Sequence, residues 1–339
     1  MFFDYPIFFE KNRVFRVYTG GKLFADFFSD DSTDGNYPEE WVVSAVHALN
    51  EGSTDEYEGI SKIQGADLYL SDALKKYKNE LIGEREDIGI LTKILDSAIR
   101  LPVQAHPDKA FSREHFRSNY GKEESWVILA TRPDAKIFYG FKKGVTPEQF
   151  EKAIEESETS TTAMENLLES YPVKAGDIIY IPAKMVHAIG AGCLLLEVQE
   201  PTDFTIQPER WCGDYRLSDN EMYLGLDKKT ALECFDMEKT FPMPLASKSL
   251  ASERGVDYQS VIDESITTSF SVRKIIFDGG RFMLDKGACI YVVTEGEGKI
   301  VGGGYEKSIR KGDYFLIPEA VKGKFAITGT DMTVVECYK

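Results

Sequence analysis

The same short segment occurs twice in this chain and constrains its architecture more than any other feature. Residues 176–182 have the sequence Gly-Asp-Ile-Ile-Tyr-Ile-Pro, and residues 312–318 have the sequence Gly-Asp-Tyr-Phe-Leu-Ile-Pro. In each copy, Gly-Asp turns the chain into a short apolar strand, and proline ends the strand where no ladder donor is needed. Short strands repeated with this punctuation indicate a mainly β protein with two tandem jelly-roll barrels. A chance repeat is the alternative interpretation, because Gly-Asp before a strand is common.

The repeat also suggests how the chain is divided. Domains commonly have about 150 residues, so a length of 339 residues favours roughly two of them. A polar stretch with Pro242, Pro244 and several serines interrupts the apolar pattern and marks the junction. We therefore predict a first domain over residues 1–245 and a second barrel over residues 246–339.

Two segments of the first domain have helical periodicity. Leu74, Tyr77 and Leu81 fall on one stripe of a helix and predict a helical segment at about 71–91. A later segment opens with Thr-Pro-Glu-Gln, which combines an N-cap, a proline at the first helical position and a capping-box glutamine. A second amphipathic stretch follows it, so residues 146–170 are predicted to form a helical insertion.

Composition excludes several classes of function. The formal net charge of -16 argues against sequence-independent binding to nucleic acids and against docking on anionic lipid. No apolar run approaches the roughly 18 residues of a membrane helix, and the N-terminus lacks the features of a signal peptide. The five cysteines are scattered, which favours a reducing compartment over a disulfide framework. We expect a cytoplasmic protein, monomeric or homodimeric, whose partner is a small molecule.

The chain has only four histidines, so each of them can be considered separately. His187 follows Gly176 and Pro182 with the spacing Gly-x5-Pro-x4-His, which metal-binding jelly rolls of the cupin type use. This spacing places the imidazole on the strand after the proline, pointing into the barrel, although a hydrogen-bonded core histidine is the alternative. The matching position in the second copy is Gly323, so the second barrel is predicted to be degenerate and without metal ligands.

Two other segments offer polar side chains for the same interior. Gln104 and His106 are two residues apart, so on a strand they face the same side. A hydrogen-bonded polar pair at a barrel rim would give the same pattern. Glu123 and Glu124 begin another apolar run, and either of them is a candidate ligand or a solvated rim charge. The remaining histidines, His47 and His115, lack metal spacing and are interpreted as structural.

Taken in order, these segments resemble type I phosphomannose isomerase (mannose-6-phosphate isomerase), a cupin, in particular its shorter bacterial form. The similarity extends from about residue 5 to residue 210, and the second barrel fits in outline. The segments that carry the resemblance are residues 20–23, 40–41, 93–96, 101–109, 121–126, 176–190 and 196–199. The resemblance implies a metal-dependent aldose–ketose isomerase that interconverts mannose 6-phosphate and fructose 6-phosphate through a cis-enediol.

The resemblance further implies one zinc ion in the first domain, with ligands at Gln104, His106, Glu124 and His187. Glu124 is preferred over Glu123 because the family's glutamate lies two residues before the aromatic residue. Zinc commonly takes nitrogen and oxygen donors, but an amide oxygen is an unusual ligand for it. A divalent metal other than zinc is therefore an alternative for this site.

The resemblance also assigns catalytic residues, with one departure from the family. Lys122 falls on a lysine of the active-site pocket, and Asp203 falls on the family's acidic residue. The family's active-site arginine falls on Gln207, which is uncharged. Arg210 lies three residues further on and substitutes only if the chain bends, because an odd offset faces the other side of a strand.

Three questions are left open by the sequence. Lys122, Asp203 or an unliganded glutamate could carry the proton between the sugar carbons. Lys109 and Arg113 follow the segment of His106 and are candidates for binding the substrate phosphate, or surface charges. Other readings of the whole chain are a related isomerase or epimerase for a different sugar, and a non-catalytic cupin that senses a sugar phosphate. A cupin oxygenase is disfavoured, because such sites usually have more imidazoles.

Overall fold

The computed structural model describes all residues from Met1 to Lys339, and antiparallel strands account for many more of them than helices do. The strands of the first 245 residues are β1 (Ile7–Phe8), β2 (Arg13–Val14), β3 (Glu39–Val42), β4 (Leu91–Asp96), β5 (Glu124–Thr131), β6 (Lys136–Phe141), β7 (Leu168–Pro172), β8 (Ile178–Ile181), β9 (His187–Ile189), β10 (Cys193–Gln199), β11 (Trp211–Cys212) and β12 (Tyr215–Arg216). The later strands are β13 (Lys248–Glu253), β14 (Val256–Ile262), β15 (Ser271–Met283), β16 (Cys289–Gly302), β17 (Tyr305–Arg310), β18 (Tyr314–Ile317) and β19 (Ala326–Tyr338). The prediction of a mainly β fold is confirmed.

The helices are short and lie almost entirely in the first 245 residues. The α-helices are α1 (Lys22–Phe28), α2 (Leu70–Lys76), α3 (Lys78–Ile82), α4 (Lys109–Phe116), α5 (Pro147–Glu156), α6 (Asp219–Tyr223) and α7 (Lys228–Leu232). Single 3-10 turns occur at Phe2–Asp4, Glu165–Leu167 and Glu319–Val321. None of these helices is long and apolar enough to cross a membrane.

The strands form two large sheets and two small ones. In the first half, a six-stranded sheet has the order β2-β3-β4-β10-β5-β8, and a three-stranded sheet has the order β7-β6-β9. The eight-stranded sheet of the second half has the order β1-β18-β16-β19-β15-β14-β13, with β17 paired to β16. The hairpin β11-β12 stands apart from these sheets.

The repeated segment adopts the same local structure in both copies. It forms β8 in the first half and β18 in the second, and each strand has four buried residues. Gly176 and Gly312 precede them with the same φ of 92°, a left-handed conformation that glycine adopts without the steric cost of a Cβ. The repeat therefore corresponds to a repeated structural element.

The predicted division at residue 245 remains a prediction, and two features connect its two sides. Ile7 and Phe8 of β1 pair with Leu316 and Phe315 of β18, so the start of the chain is part of the second sheet. One apolar cluster of 31 buried residues also draws on both halves, from Phe3 to Cys337.

The two segments predicted to be helical contain helices that end earlier than the predicted bounds, and the first is interrupted at Tyr77 between α2 and α3. In the segment predicted at about 71–91, α3 ends at Ile82, and Gly83 continues with a φ of 65°, outside the helical region. In the segment predicted at 146–170, α5 begins with the expected Thr146 capping box but ends at Glu156. The second amphipathic stretch ends in strand β7, which pairs with β6. Tertiary pairing thus overrides a helix-like pattern there.

Candidate active site

The polar residues that the sequence singled out for metal binding converge in the interior of the first half. Gln104 and His187 form an isolated antiparallel bridge, with reciprocal N···O distances of 2.9 Å between their backbones. His106 follows two residues after Gln104, and Glu124 begins strand β5 of the six-stranded sheet. Trp126, two residues into β5, covers the His187 ring edge-on at 5.6 Å. Backbone pairing and apolar packing therefore fix the directions of these side chains.

Three of these side chains form a compact buried cluster. His106 Nε2 lies 3.2 Å from Glu124 Oε2, and His187 Nε2 lies 3.4 Å from Glu124 Oε1. The two imidazole centroids are 4.8 Å apart. The three residues are between 0% and 2% exposed. Gln104 is also buried, and it lines the cavity beside them.

The Nδ1 atoms of both imidazoles contact backbone carbonyl oxygens. His106 Nδ1 lies 3.0 Å from the Phe204 carbonyl oxygen, and His187 Nδ1 lies 2.8 Å from that of Met185. A proton on each Nδ1 satisfies these contacts and leaves both Nε2 lone pairs directed to the cluster. His187 Nε2 is fully buried and has no hydrogen-bond partner. An unpaired buried acceptor costs about 1–3 kcal/mol, so this atom fits a metal ligand better than a structural histidine.

Lys122 completes the cluster and sets its charge states. Its Nζ donates to Glu124 Oε2 at 2.8 Å and lies 2.8 Å from His106 Nε2. Burial, together with the Lys122 ammonium, lowers the pKa of His106 to about 3. Burial opposes ionisation of Glu124, but Lys122 and the imidazoles outweigh it and hold the pKa of this carboxyl well below its usual range. A neutral imidazole and an ionised carboxylate are the forms that bind metal ions.

A cavity of about 440 Å³ adjoins this cluster. Its lining includes Gln104, Lys122 and Glu124. The other buried polar residues of its floor are Tyr18, Glu39, Lys93 and Glu197. Exposed residues at its mouth include His47, Leu49, Glu51, Tyr215 and Asn220. A cavity with this volume and mixed polar lining suits a small polyhydroxylated molecule.

A network of charged residues in the floor was not predicted from the sequence. The ammonium of Lys93 lies 3.4 Å from Glu197, 3.7 Å from Glu39 and 3.7 Å from Asp203. These carboxylates outweigh burial and raise the pKa of Lys93. Burial and the charge of Glu124 raise the pKa of Glu197 to about 7, and Glu197 Oε1 has no hydrogen-bond partner. The available signal was the occurrence of Lys and Glu at interior positions of two mainly apolar strands, β4 and β10.

The predicted catalytic residues lie in different places. Lys122 and Asp203 line the cavity. Gln207 also lines it, and its Nε2 donates to the Glu221 carbonyl oxygen at 3.1 Å. Arg210 is not part of the lining. Its guanidinium donates to Glu158 and Asp219 at 2.7 and 2.8 Å. The structure thus does not bring Arg210 to the place of the missing arginine.

The two residues predicted to bind phosphate also lie outside the lining of the cavity. Lys109 contacts Ser269 Oγ at 3.0 Å and Glu200 Oε1 at 3.2 Å. Arg113 is exposed on α4. Of the two histidines interpreted as structural, His115 packs against Phe111 with ring centroids 4.4 Å apart, whereas His47 lies at the cavity mouth.

The fold and the cluster define a β-rich, cupin-like protein with a candidate site for a divalent metal ion. No model of a protein family matches the chain. Mannose-6-phosphate isomerase ManA of Bacillus subtilis (strain 168) is 32% identical over 264 residues, which are 76% of this chain and 78% of the relative. The chain therefore belongs to the mannose-6-phosphate isomerase family.

Solved structures agree with this assignment. The structure of the mannose 6-phosphate isomerase from Bacillus subtilis has a TM-score of 0.80 and 25% identity, and it covers 98% of this chain and 99% of that chain. A mannose 6-phosphate isomerase solved with bound zinc and yttrium shares the fold, with a TM-score of 0.70 and 13% identity over 98% of this chain and 99% of that chain.

Proposed function

We propose that this chain is a metal-dependent aldose–ketose isomerase that interconverts mannose 6-phosphate and fructose 6-phosphate. Membership of the mannose-6-phosphate isomerase family supports the reaction class and the sugar phosphate. The observation that carries the metal dependence is the buried cluster of His106, Glu124 and His187 beside a cavity. The unpartnered Nε2 of His187 is the atom of that cluster that most needs a further partner.

Gln104, His106, Glu124 and His187 would hold the metal ion in this proposal. A divalent cation bound there would polarise sugar oxygens and stabilise negative charge that develops on them. The relative solved with zinc supports zinc as the ion. The two imidazoles and one carboxylate are also a donor set that zinc favours.

We assign the transfer of the proton between C2 and C1 to Glu197. A base for this step must face the substrate with a free oxygen, and it must change protonation state near neutral pH. Glu197 lines the cavity, and its Oε1 has no hydrogen-bond partner. Ionised Glu197 takes the proton from C2 of the aldose to give a cis-enediolate, the hydroxyl proton on O2 passes to O1, and the same carboxyl returns its proton to C1 to give the ketose.

Lys122 and Asp203 have other roles in this mechanism. The ammonium of Lys122 lies on the cavity wall beside Glu124 and His106, so it contributes positive charge next to the reacting oxygens. Asp203 accepts hydrogen bonds from Arg16 and from the backbone N–H of Leu49. A carboxylate held in this way is suited to accept a hydrogen bond from a sugar hydroxyl.

The test combines turnover with proton exchange. Metal-replete protein should convert mannose 6-phosphate to fructose 6-phosphate and exchange the C2 proton with deuterated solvent. His187→Ala should abolish both and lose bound metal, whereas His115→Ala should keep both because His115 lies outside the cluster. A wild-type protein that binds metal but neither converts nor exchanges the sugar phosphate would disprove the proposal.

A second candidate, a related isomerase for a different sugar, is favoured by one observation. Gln207 on the cavity wall is uncharged, and Arg210 is held by Glu158 and Asp219 outside the lining. A panel of aldoses and aldose phosphates separates the two candidates. A higher kcat/KM for another sugar would favour the second.

A further inference from the structure

Arg16 is the only arginine that lines the cavity. The proposed metal ligands do not account for its position. Its NH2 group lies 3.1 and 3.0 Å from the two carboxylate oxygens of Asp203. Its NH1 group donates to Asn50 Oδ1 at 3.0 Å, and its Nε lies 3.1 Å from Glu39 Oε1. The guanidinium also lies over the Trp41 ring, 5.2 Å from the centroid. These contacts hold it in one place.

The partner of Arg16, Asp203, has an acceptor position left for a ligand. A carboxylate has about four lone-pair positions for hydrogen bonds. Arg16 approaches both oxygens of Asp203, and the backbone N–H of Leu49 donates to Oδ2 at 2.9 Å. Lys93 lies 3.7 Å from Oδ1, beyond hydrogen-bond distance. Oδ1 of Asp203, on the cavity wall, therefore retains an acceptor position.

The other cations of the cavity cannot replace Arg16 in this contact. Lys122 is bound to Glu124 and His106. Lys93 is buried between Glu39 and Glu197 as well as Asp203, and its point charge has no planar fork for two oxygens. Without Arg16, the carboxylate of Asp203 would have Lys93 as its only cation within 4 Å and the Leu49 N–H as its only hydrogen-bond donor, so its orientation would be less restricted.

We propose that Arg16 is a positioning residue of the isomerase, which orients Asp203 so that the free acceptor position of its carboxylate receives a sugar hydroxyl. This inference rests on the proposed function, because it needs a sugar substrate in the cavity. Arg16 acts through Asp203 and need not touch the substrate itself. The pair joins two segments that are 187 residues apart in the chain.

The experiment is a double-mutant cycle with Arg16→Met, Asp203→Asn and the double variant, assayed with mannose 6-phosphate. Each single variant should lower kcat/KM about 10- to 100-fold, the value of a charge-assisted hydrogen bond, and mostly by raising KM. The kcat/KM of the double variant should be no more than about threefold below that of the less active single variant, because both changes remove the same contact. Bound metal per chain should stay at the wild-type level.

Arg13→Met is the matched control, because Arg13 is three residues away and also bridges two carboxylates, Glu40 and Asp30, but does not line the cavity. It should change KM less than threefold. If Arg16→Met does not fold, Arg16→Lys takes its place in the cycle, since lysine keeps the charge without the two-oxygen contact. A KM within threefold of wild type, or losses that multiply in the double variant, would overturn the inference. Inactive wild-type protein would instead contradict the proposed function.

Discussion

Glu197 of β10 and Lys93 of β4 are directly opposite each other in adjacent strands, with Oε1 and Nζ 3.4 Å apart in the cavity floor. Ion pairs at a buried position are costly to dehydrate, so the two charges need further partners. Lys93 has them in Glu39 and Asp203, whereas Glu197 does not. Because Glu197 lacks further partners, its protonation state is the feature of this pair that is most sensitive to pH.

Replacing Glu197 should therefore change how stability depends on pH. The pKa of Glu197 is raised from 4.5 to about 7, so between these values the folded metal-free protein keeps a proton that the unfolded chain loses. Its contribution to stability is present below pH 4.5 and is lost as the pH rises to 7. Urea denaturation of Glu197→Gln should show this decline reduced by up to about 3 kcal/mol relative to wild type. The exposed Glu253→Gln should follow the wild-type profile.

Removing the Lys122 ammonium should strengthen metal binding while it weakens catalysis. Lys122 uses lone pairs of His106 and Glu124 that a metal ion would also use, and its positive charge repels a dication. Lys122→Met should bind zinc at least tenfold more tightly in a competition titration and lose at least tenfold in kcat. Lys152→Met, on the exposed surface of α5, should change neither. Weaker zinc binding in Lys122→Met would contradict this interpretation of the cluster.

Metal ions should stabilise the folded chain through His187. Binding to the native state alone adds about 2.7 kcal/mol when the free ion is a hundredfold above its Kd. Thermal unfolding with chelator and with zinc should show this shift for wild type and for His115→Ala. His187→Ala should show almost none. Equal shifts in all three proteins would place the ion elsewhere.

The second half has a buried polar network that should be structural. Glu336 is completely buried, and it accepts hydrogen bonds from Tyr291 at 2.8 Å and from Tyr258 at 2.7 Å. Tyr291→Phe leaves one of these oxygens with an unfilled position and should cost about 1–3 kcal/mol in urea denaturation. Turnover at low temperature should stay at the wild-type value. Tyr305→Phe, whose hydroxyl has no hydrogen-bond partner, should cost much less.

The parts of the fold that the sequence predicts are those encoded by local patterns. Gly-Asp turns and proline ends determine the two repeated strands, because these residues act on their own backbone. The polar residues of the cluster lie at the ends or starts of such strands, so their convergence around Glu124 was a reasonable prediction. Their role as metal ligands remains a prediction, as does the division at residue 245.

The parts that could not be predicted depend on long-range contacts. The placement of Lys93 between Glu39 and Glu197 follows from the strand order β3-β4-β10, and the pairing of Arg16 with Asp203 joins two loops that are distant in the chain. No local pattern gives either of them. Arg210 has the right residue type near the expected position, but its neighbours Glu158 and Asp219 hold it elsewhere. The stretch that ends in β7 has a helical pattern of apolar residues, yet it forms a 3-10 turn at Glu165–Leu167 and then pairs with β6 from Leu168 onward.

The pairing of β1 with β18 has a consequence for dissecting the molecule. The first few residues of the polypeptide close an edge of the sheet built by its last hundred, so a fragment that began after residue 245 would present unpaired backbone groups of β18 to solvent. An unpaired strand edge of this kind pairs with other chains and promotes aggregation. Expression of the C-terminal part should thus require the amino-terminal peptide that contains β1, either fused to that part or supplied as a separate chain.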